Sequence, residues 1–111
     1  MPCIFCKIIN KEISSEIVYQ DHNCLALKDI HPIAPIHILI IPKRHIATIE
    51  HIETKDKELI GELFLAAKKV AKIQMISKSG YRLIFNVGKD AGQAVDHLHL
   101  HLIGGKKLLW S

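Results

Sequence analysis

His97, His99 and His101 alternate with Leu98, Leu100 and Leu102 near the end of the sequence. A β-strand points successive side chains to opposite faces, so this spacing predicts three imidazoles on one face and three leucines directed into a core. Rings placed side by side repel when more than one is protonated. Three explanations are open from the residues alone. One is a polar strand face without a task. A second is a metal site, since imidazole is a common zinc ligand. The third is a cluster acting on phosphate, in which neutral imidazole is a nucleophile and a neighbouring imidazolium stabilises phosphoryl oxygens. The loop Asn86–Val95 just before the histidines contains Gly88 and Gly92. Glycines allow backbone amides to approach an anion closely, although such a loop read alone is equally an ordinary turn.

Two further patterns carry chemistry. Cys3 and Cys6 form a C-x-x-C pair, a spacing that suggests metal or redox chemistry in a cytosolic chain. The alternative is a pair of small buried apolar residues, as expected for Cys24. Three cysteines, an odd number, argue against a disulfide framework. Asp29 is either a turn residue ahead of Pro32 or a carboxylate able to accept from two hydroxyls at once. His37 lies inside an apolar run, where a lone histidine reads as a satisfied core group.

These residues need elements to position them. Cys3–Asn10 has Ile4, Phe5, Ile8 and Ile9 at the spacing of a short helix. Ile17–Gln20 and Cys24–Lys28 read as short strands around an Asp21-His22-Asn23 turn. Asp29–Pro35 holds two prolines and excludes regular helix. Ile36–Ile41, isoleucine-rich and flanked by prolines, reads as a buried strand. A long helix is predicted from an N-cap at Thr54 to about Ile76. Leu59, Leu63, Ala66, Val70 and Ile73 form its apolar stripe, widened by Ile60, Phe64, Ala67 and Ala71. Tyr81–Asn86 and His97–Ile103 complete about five antiparallel strands. With one long helix and a short N-terminal one, this predicts an α+β domain.

The bulk properties bound the rest. The chain has 111 residues, which fits one domain spanning 1–111, and carries a net charge of +4. A basic balance suits anionic partners, but the lysines are scattered as on a solvated surface. Apolar residues make up 49%, enough to leave surface for a partner copy to cover. No apolar run approaches the ~18 residues of a membrane span, and no signal peptide is visible. The expected compartment is the cytoplasm, with no membrane or nucleic-acid partner.

His97-Leu-His-Leu-His-Leu-Ile103 resembles the His-x-His-x-His-x-x motif, x being apolar, of the histidine triad (HIT) superfamily. The likeness covers nearly the whole chain. Asp29–Lys43 is similar to the family's nucleotide-binding segment. Gly80–Asn86 and Gly104-Gly105 resemble the HINT branch, histidine triad nucleotide-binding proteins that hydrolyse purine nucleoside phosphoramidates. The resemblance implies the HIT fold and a set of roles. His99 would attack phosphorus and carry a nucleotidyl-histidine intermediate. His101 would contact the phosphate and protonate the leaving amine, and His37 would support the cluster from a neighbouring strand. Asp29 would bind the ribose hydroxyls. Ile4, Phe5, Ile8, Leu27 and Ile30 would line the base pocket. Asn86, Gly92, Gln93 and Val95 would hold the phosphate and shape the loop.

Catalysis of this kind requires no cofactor. Some members carry a cysteine pair, and by that likeness Cys3 and Cys6 would bind structural zinc with His45 and His97. The partners implied are a purine nucleotide substrate and a second copy of the chain in a homodimer, with Trp110 reaching toward the partner's site. Two positions depart from the branch. Ala94 stands where a hydroxyl residue is frequent, and Asp96 where an aromatic residue or proline is common. Asp96 either raises the pKa of a triad histidine or faces solvent. The alternatives are a dinucleoside polyphosphate hydrolase, which shares the triad but not the Gly-Gly continuation, and a non-catalytic nucleotide-binding regulator.

Overall fold

A computed structural model describes residues 3–110. Its centre is a run of β-branched residues, which fit a pleated surface packed on both sides. Strand β3 (Ile36–Pro42) is buried from His37 onward. It pairs antiparallel with β2 (Cys24–Lys28) on one side and β5 (Leu100–Gly104) on the other. Strand β1 (Ile17–Gln20) extends the sheet beyond β2, and β4 (Tyr81–Ile84) extends it beyond β5. The five strands lie in the order β1-β2-β3-β5-β4.

Local chemistry sets the connections. The Asp21 carboxylate accepts from the amides of Asn23 and Cys24 at 2.9 and 2.8 Å, an Asx turn that folds β1 back onto β2. Helix α1 covers Ile4–Ile9 and helix α2 covers Lys57–Ile73. Thr54 does not cap α2 as its sequence suggests. It opens a 3-10 turn, Thr54–Asp56, and the cap is Asp56, whose carboxylate accepts from the Glu53 amide at 2.9 Å and pairs with Arg44. The helix stops at Ile73, three residues before the predicted end, and Met75 enters the left-handed region with φ 62.

Leu63, Ala66, Ala67, Val70 and Ala71 pack α2 onto one sheet face, against Cys24, Ala26, Ile38, Ile40, Leu100 and Leu102. Phe64 and Ile73, assigned above to the apolar stripe, stand exposed. On the opposite face Leu25, Leu27, Leu39 and Ile41 form a smaller cluster with Phe5 and Ile8 of α1. The sheet thus has a deep side under α2 and a shallow side under α1, and the histidines lie on the shallow side.

Two strands are shorter than predicted. The fourth ends at Ile84, not Asn86. The fifth begins at Leu100, so His97 and His99 precede it. The cause lies in the partner strand: β3 ends at Pro42, which has no N–H to continue a ladder, and the chain turns away. One bond persists, from the Leu98 amide to the Ile46 carbonyl at 2.6 Å. It keeps the alternation running, with Leu98 in the core beneath α2.

Candidate active site

On the shallow side lies a cavity of about 420 Å³, within the size range of small-molecule sites. Ile4, Phe5 and Ile8 of α1 form one wall, and Leu27, Leu39 and Ile30 continue the apolar lining. Asp29 stands at one side, Gly92, Ala94 and Val95 at another, and His99 and His101 at the histidine edge. Every residue the sequence assigned to the base pocket therefore borders one cavity, with Asp29, Gly92 and Val95 beside them.

The hydrogen bonds fix which ring nitrogen carries each proton. A carbonyl oxygen only accepts, so His99 Nδ1, 2.7 Å from the His97 carbonyl, is the protonated nitrogen. Its Nε2 then keeps a free lone pair. The Ile33 amide donates to His37 Nδ1 at 3.2 Å, so the His37 proton sits on Nε2. From there it is donated to His101 Nδ1 at 2.9 Å. His101 is left with its proton on Nε2, a buried atom with no hydrogen-bond partner among the described residues. A donor without an acceptor at the edge of a cavity fits an anionic ligand atom. Burial, with His99 and His37 nearby, pushes the His101 pKa down to about 4, which keeps this tautomer neutral at neutral pH. Burial also lowers the His37 pKa, opposed by Asp29, whose carboxylate lies 3.4 Å from His37 Nε2.

His97 points elsewhere. Its Nε2 donates to the Pro42 carbonyl at 2.8 Å, and its Nδ1 lone pair meets Cys3 Sγ at 3.3 Å, Cys6 Sγ at 3.5 Å and His45 Nδ1 at 3.1 Å. His45 Nδ1 in turn lies 3.7 and 3.3 Å from the two sulfurs. A tetrahedron around zinc, with Zn–S about 2.3 Å and Zn–N about 2.0 Å, has edges of about 3.3 to 3.8 Å. The donor set and its spacing fit such an ion, and the Pro42 bond is the outer support a ligating imidazole requires. Burial lowers the His97 pKa, which favours the neutral, ligating ring.

The structure divides the predicted residues. Of the three imidazoles expected on one face, His99 and His101 border the cavity, and His97 joins the cysteines, in the place the family likeness implied for it. His37 donates to His101 from β3, the supporting place the likeness implied, and does not line the cavity. Asn86 and Gln93 do not line it either. The Gln93 amide is consumed by backbone: it accepts from the Gly88 amide at 2.9 Å and donates to the Ala47 and Val95 carbonyls at 2.8 and 3.0 Å. Asp96 faces solvent. Sequence reasoning missed Leu39, Ile13, Ser14, Ser15, Lys28 and His31 among the lining residues. Leu39 was within reach, because it alternates in phase with His37 on β3 and pairs with His101. The serines carry no local signal.

With this geometry in place, likeness to known proteins adds lineage. A family model described as the HIT domain matches residues 10–108. An uncharacterized HIT-like protein of Synechococcus elongatus is 46% identical, over 96% of this chain and 93% of that protein. The crystal structure of a HIT family hydrolase from Legionella pneumophila superposes with TM-score 0.95 at 50% identity, covering 97% of this chain and 96% of that one. A histidine triad nucleotide-binding protein from Candida albicans superposes with TM-score 0.82 at 37% identity, covering 90% and 72%. Sheet order, histidine spacing and this agreement along almost the full length lead to one assignment: the chain belongs to the HIT domain family.

Proposed function

We propose that the protein hydrolyses purine nucleoside 5′-phosphoramidates through a nucleotidyl intermediate on His99. The observation that carries this reading is the pairing of a free His99 Nε2 with an unpartnered His101 Nε2–H at the edge of one apolar cavity. The apolar walls suit a purine, and Asp29 suits the ribose hydroxyls. Two relatives, a HIT family hydrolase from Legionella pneumophila and a histidine triad nucleotide-binding protein from Candida albicans, agree with this class of activity.

In the first step His99 Nε2 attacks phosphorus and the P–N bond to the amine breaks. The leaving amine takes up its proton from solvent water and not, as the family likeness implied, from His101, whose neutral ring would be left anionic by giving up its single N–H; that N–H donates to a phosphoryl oxygen. Throughout, His99 Nδ1–H remains bonded to the His97 carbonyl, which steadies the imidazolium adduct. In the second step water attacks phosphorus, the P–Nε2 bond breaks, and the attacking water returns a proton to solvent. The product is a nucleoside monophosphate. Positioning and charge stabilisation supply the rate, and no cofactor takes part.

The same reading assigns zinc to Cys3, Cys6, His45 and His97 as a closed structural site, and a homodimer as the assembly. It places the protein in the cytoplasm. The test is to react the protein with an adenosine 5′-phosphoramidate, quench, and map the adduct by mass spectrometry. An adenylyl group on His99, absent in His99→Ala, supports the assignment. Full turnover by His99→Ala overturns it. Faster turnover of a dinucleoside polyphosphate than of the phosphoramidate overturns the substrate class.

A further inference from the structure

Helix α1 has two sets of contacts on six residues. Cys3, its N-cap, and Cys6 face His45 and His97. Ile4, Phe5 and Ile8, interleaved with them, face the cavity. Phe5 touches both sites, packing edge-on against His97 with centroids 5.8 Å apart and against His99 at 5.3 Å. His97 also spans both: its ring belongs to the four-donor cluster while its carbonyl holds His99 Nδ1. A six-residue helix has no stability of its own. Phe5 and Ile8 are the residues of α1 buried on the sheet, with Ile9 and the N-cap Cys3 half-buried against the same small cluster, and the main core under α2 contains none of the helix's residues.

We propose that Cys3 and Cys6 are positioning residues for the nucleotide site: with zinc bound they hold α1 in place as the wall that receives the base. The inference rests on the reading of the cavity as a nucleotide site. Metal occupancy and nucleotide affinity are then coupled, and coupling is reciprocal. Releasing the metal frees α1 to undock as a local unit and opens one side of the cavity. Occupying the cavity presses the base against Ile4, Phe5 and Ile8, and so retains the metal. A metal that merely stabilised the fold would leave both quantities independent.

The experiment measures both directions with zinc and adenosine 5′-monophosphate as probes. The dissociation constant for the nucleotide is determined by calorimetry on zinc-loaded protein, on chelator-stripped protein and on Cys3→Ser/Cys6→Ser. Zinc release to a chromogenic chelator is then timed with and without saturating nucleotide. Affinity should weaken about 10-fold on metal loss, within the usual range of coupling between sites, and release should slow by a similar factor when nucleotide is present. Circular dichroism of the double variant should show the sheet and α2 intact. Equal affinities in all three proteins, or a release rate indifferent to nucleotide, overturn the coupling and leave the active-site reading standing. Protein that binds no zinc overturns it likewise. Loaded protein that fails to bind the nucleotide overturns both.

Discussion

Replacing His99 with alanine removes the imidazole lone pair that stands beside the His101 Nε2–H at the cavity edge, while Ile4, Phe5, Leu27 and Asp29 keep their places. Turnover of a nucleoside phosphoramidate should fall by more than about 10³-fold, the scale of losing a nucleophile, with nucleoside monophosphate affinity changed little. Single-turnover kinetics and calorimetry on the same variant separate the two. His101 makes a prediction about pH. Its folded pKa lies at about 4 against the ordinary 6.5, because burial penalises the imidazolium. In the window between those values the unfolded chain binds the proton and the folded chain does not. Stability is therefore full above pH 6.5 and declines as pH falls toward 4, with His37 adding in the same direction. Urea midpoints at about pH 7 and pH 4.5 should show a larger loss in wild type than in His101→Asn. Equal losses would show that this ring does not carry the linkage.

At the scale of elements, the loop before β5 depends on one side chain. Gln93 satisfies the Gly88 amide and two carbonyls from separate segments, and Gly92 turns with φ 83 beside it. Gln93→Glu keeps the shape but places a carboxylate against the Ala47 and Val95 carbonyls. The cost should be about 1–3 kcal/mol, that of leaving polar groups unpaired, with a raised KM because Gly92, Ala94 and Val95 line the cavity. Thermal melts and steady-state kinetics would show it, and an unchanged KM would mean that the loop holds its shape without the amide. The same elements show what was legible beforehand. The period-2 pattern of Leu98, Leu100 and Leu102 gave away the buried face, since alternation is a property of the strand itself. Where that strand begins was not legible, because it depends on Pro42 in a partner strand 58 residues earlier in number than Leu100. The helix start was missed for a local reason: Thr54 and Asp56 both suit a cap, and Arg44, distant in sequence, favours Asp56. The base-pocket residues and the Cys3-Cys6-His45-His97 set were reached through family likeness. Spacing alone cannot tell that α1 folds over the histidines.

The whole molecule exposes more surface than its size accounts for. A folded monomer of 12.5 kDa is expected to show roughly 6,200 Å², and this chain shows 7287 Å². The surplus is comparable to the ~800 Å² that one partner contributes to a stable interface. Strand β4 ends the sheet with one edge unpaired among the described residues, a feature that proteins usually cover. Beside it Phe85 meets Phe64 edge-on at 6.0 Å, and Phe64 is 44% exposed on the outer side of α2. One turn before, Gly61 leaves open space where a side chain would stand, room for a second helix to approach. A two-fold pairing of β4 edges would bring these α2 faces together and bury both phenylalanines. Trp110 sits at the same end of the sheet, over Arg82 of β4 at 5.8 Å. Light scattering coupled to size exclusion should then give twice the 12.5 kDa chain mass. Phe64→Glu should shift the protein to monomer, since an unpaired carboxylate is costly to bury. The variant should keep its far-ultraviolet spectrum, because Phe64 lies outside the core formed by Leu63, Ala67 and Val70, and should melt at lower temperature through loss of association. A wild-type monomer at tens of micromolar, or a Phe64→Glu dimer of undiminished affinity, would place the interface elsewhere or remove it.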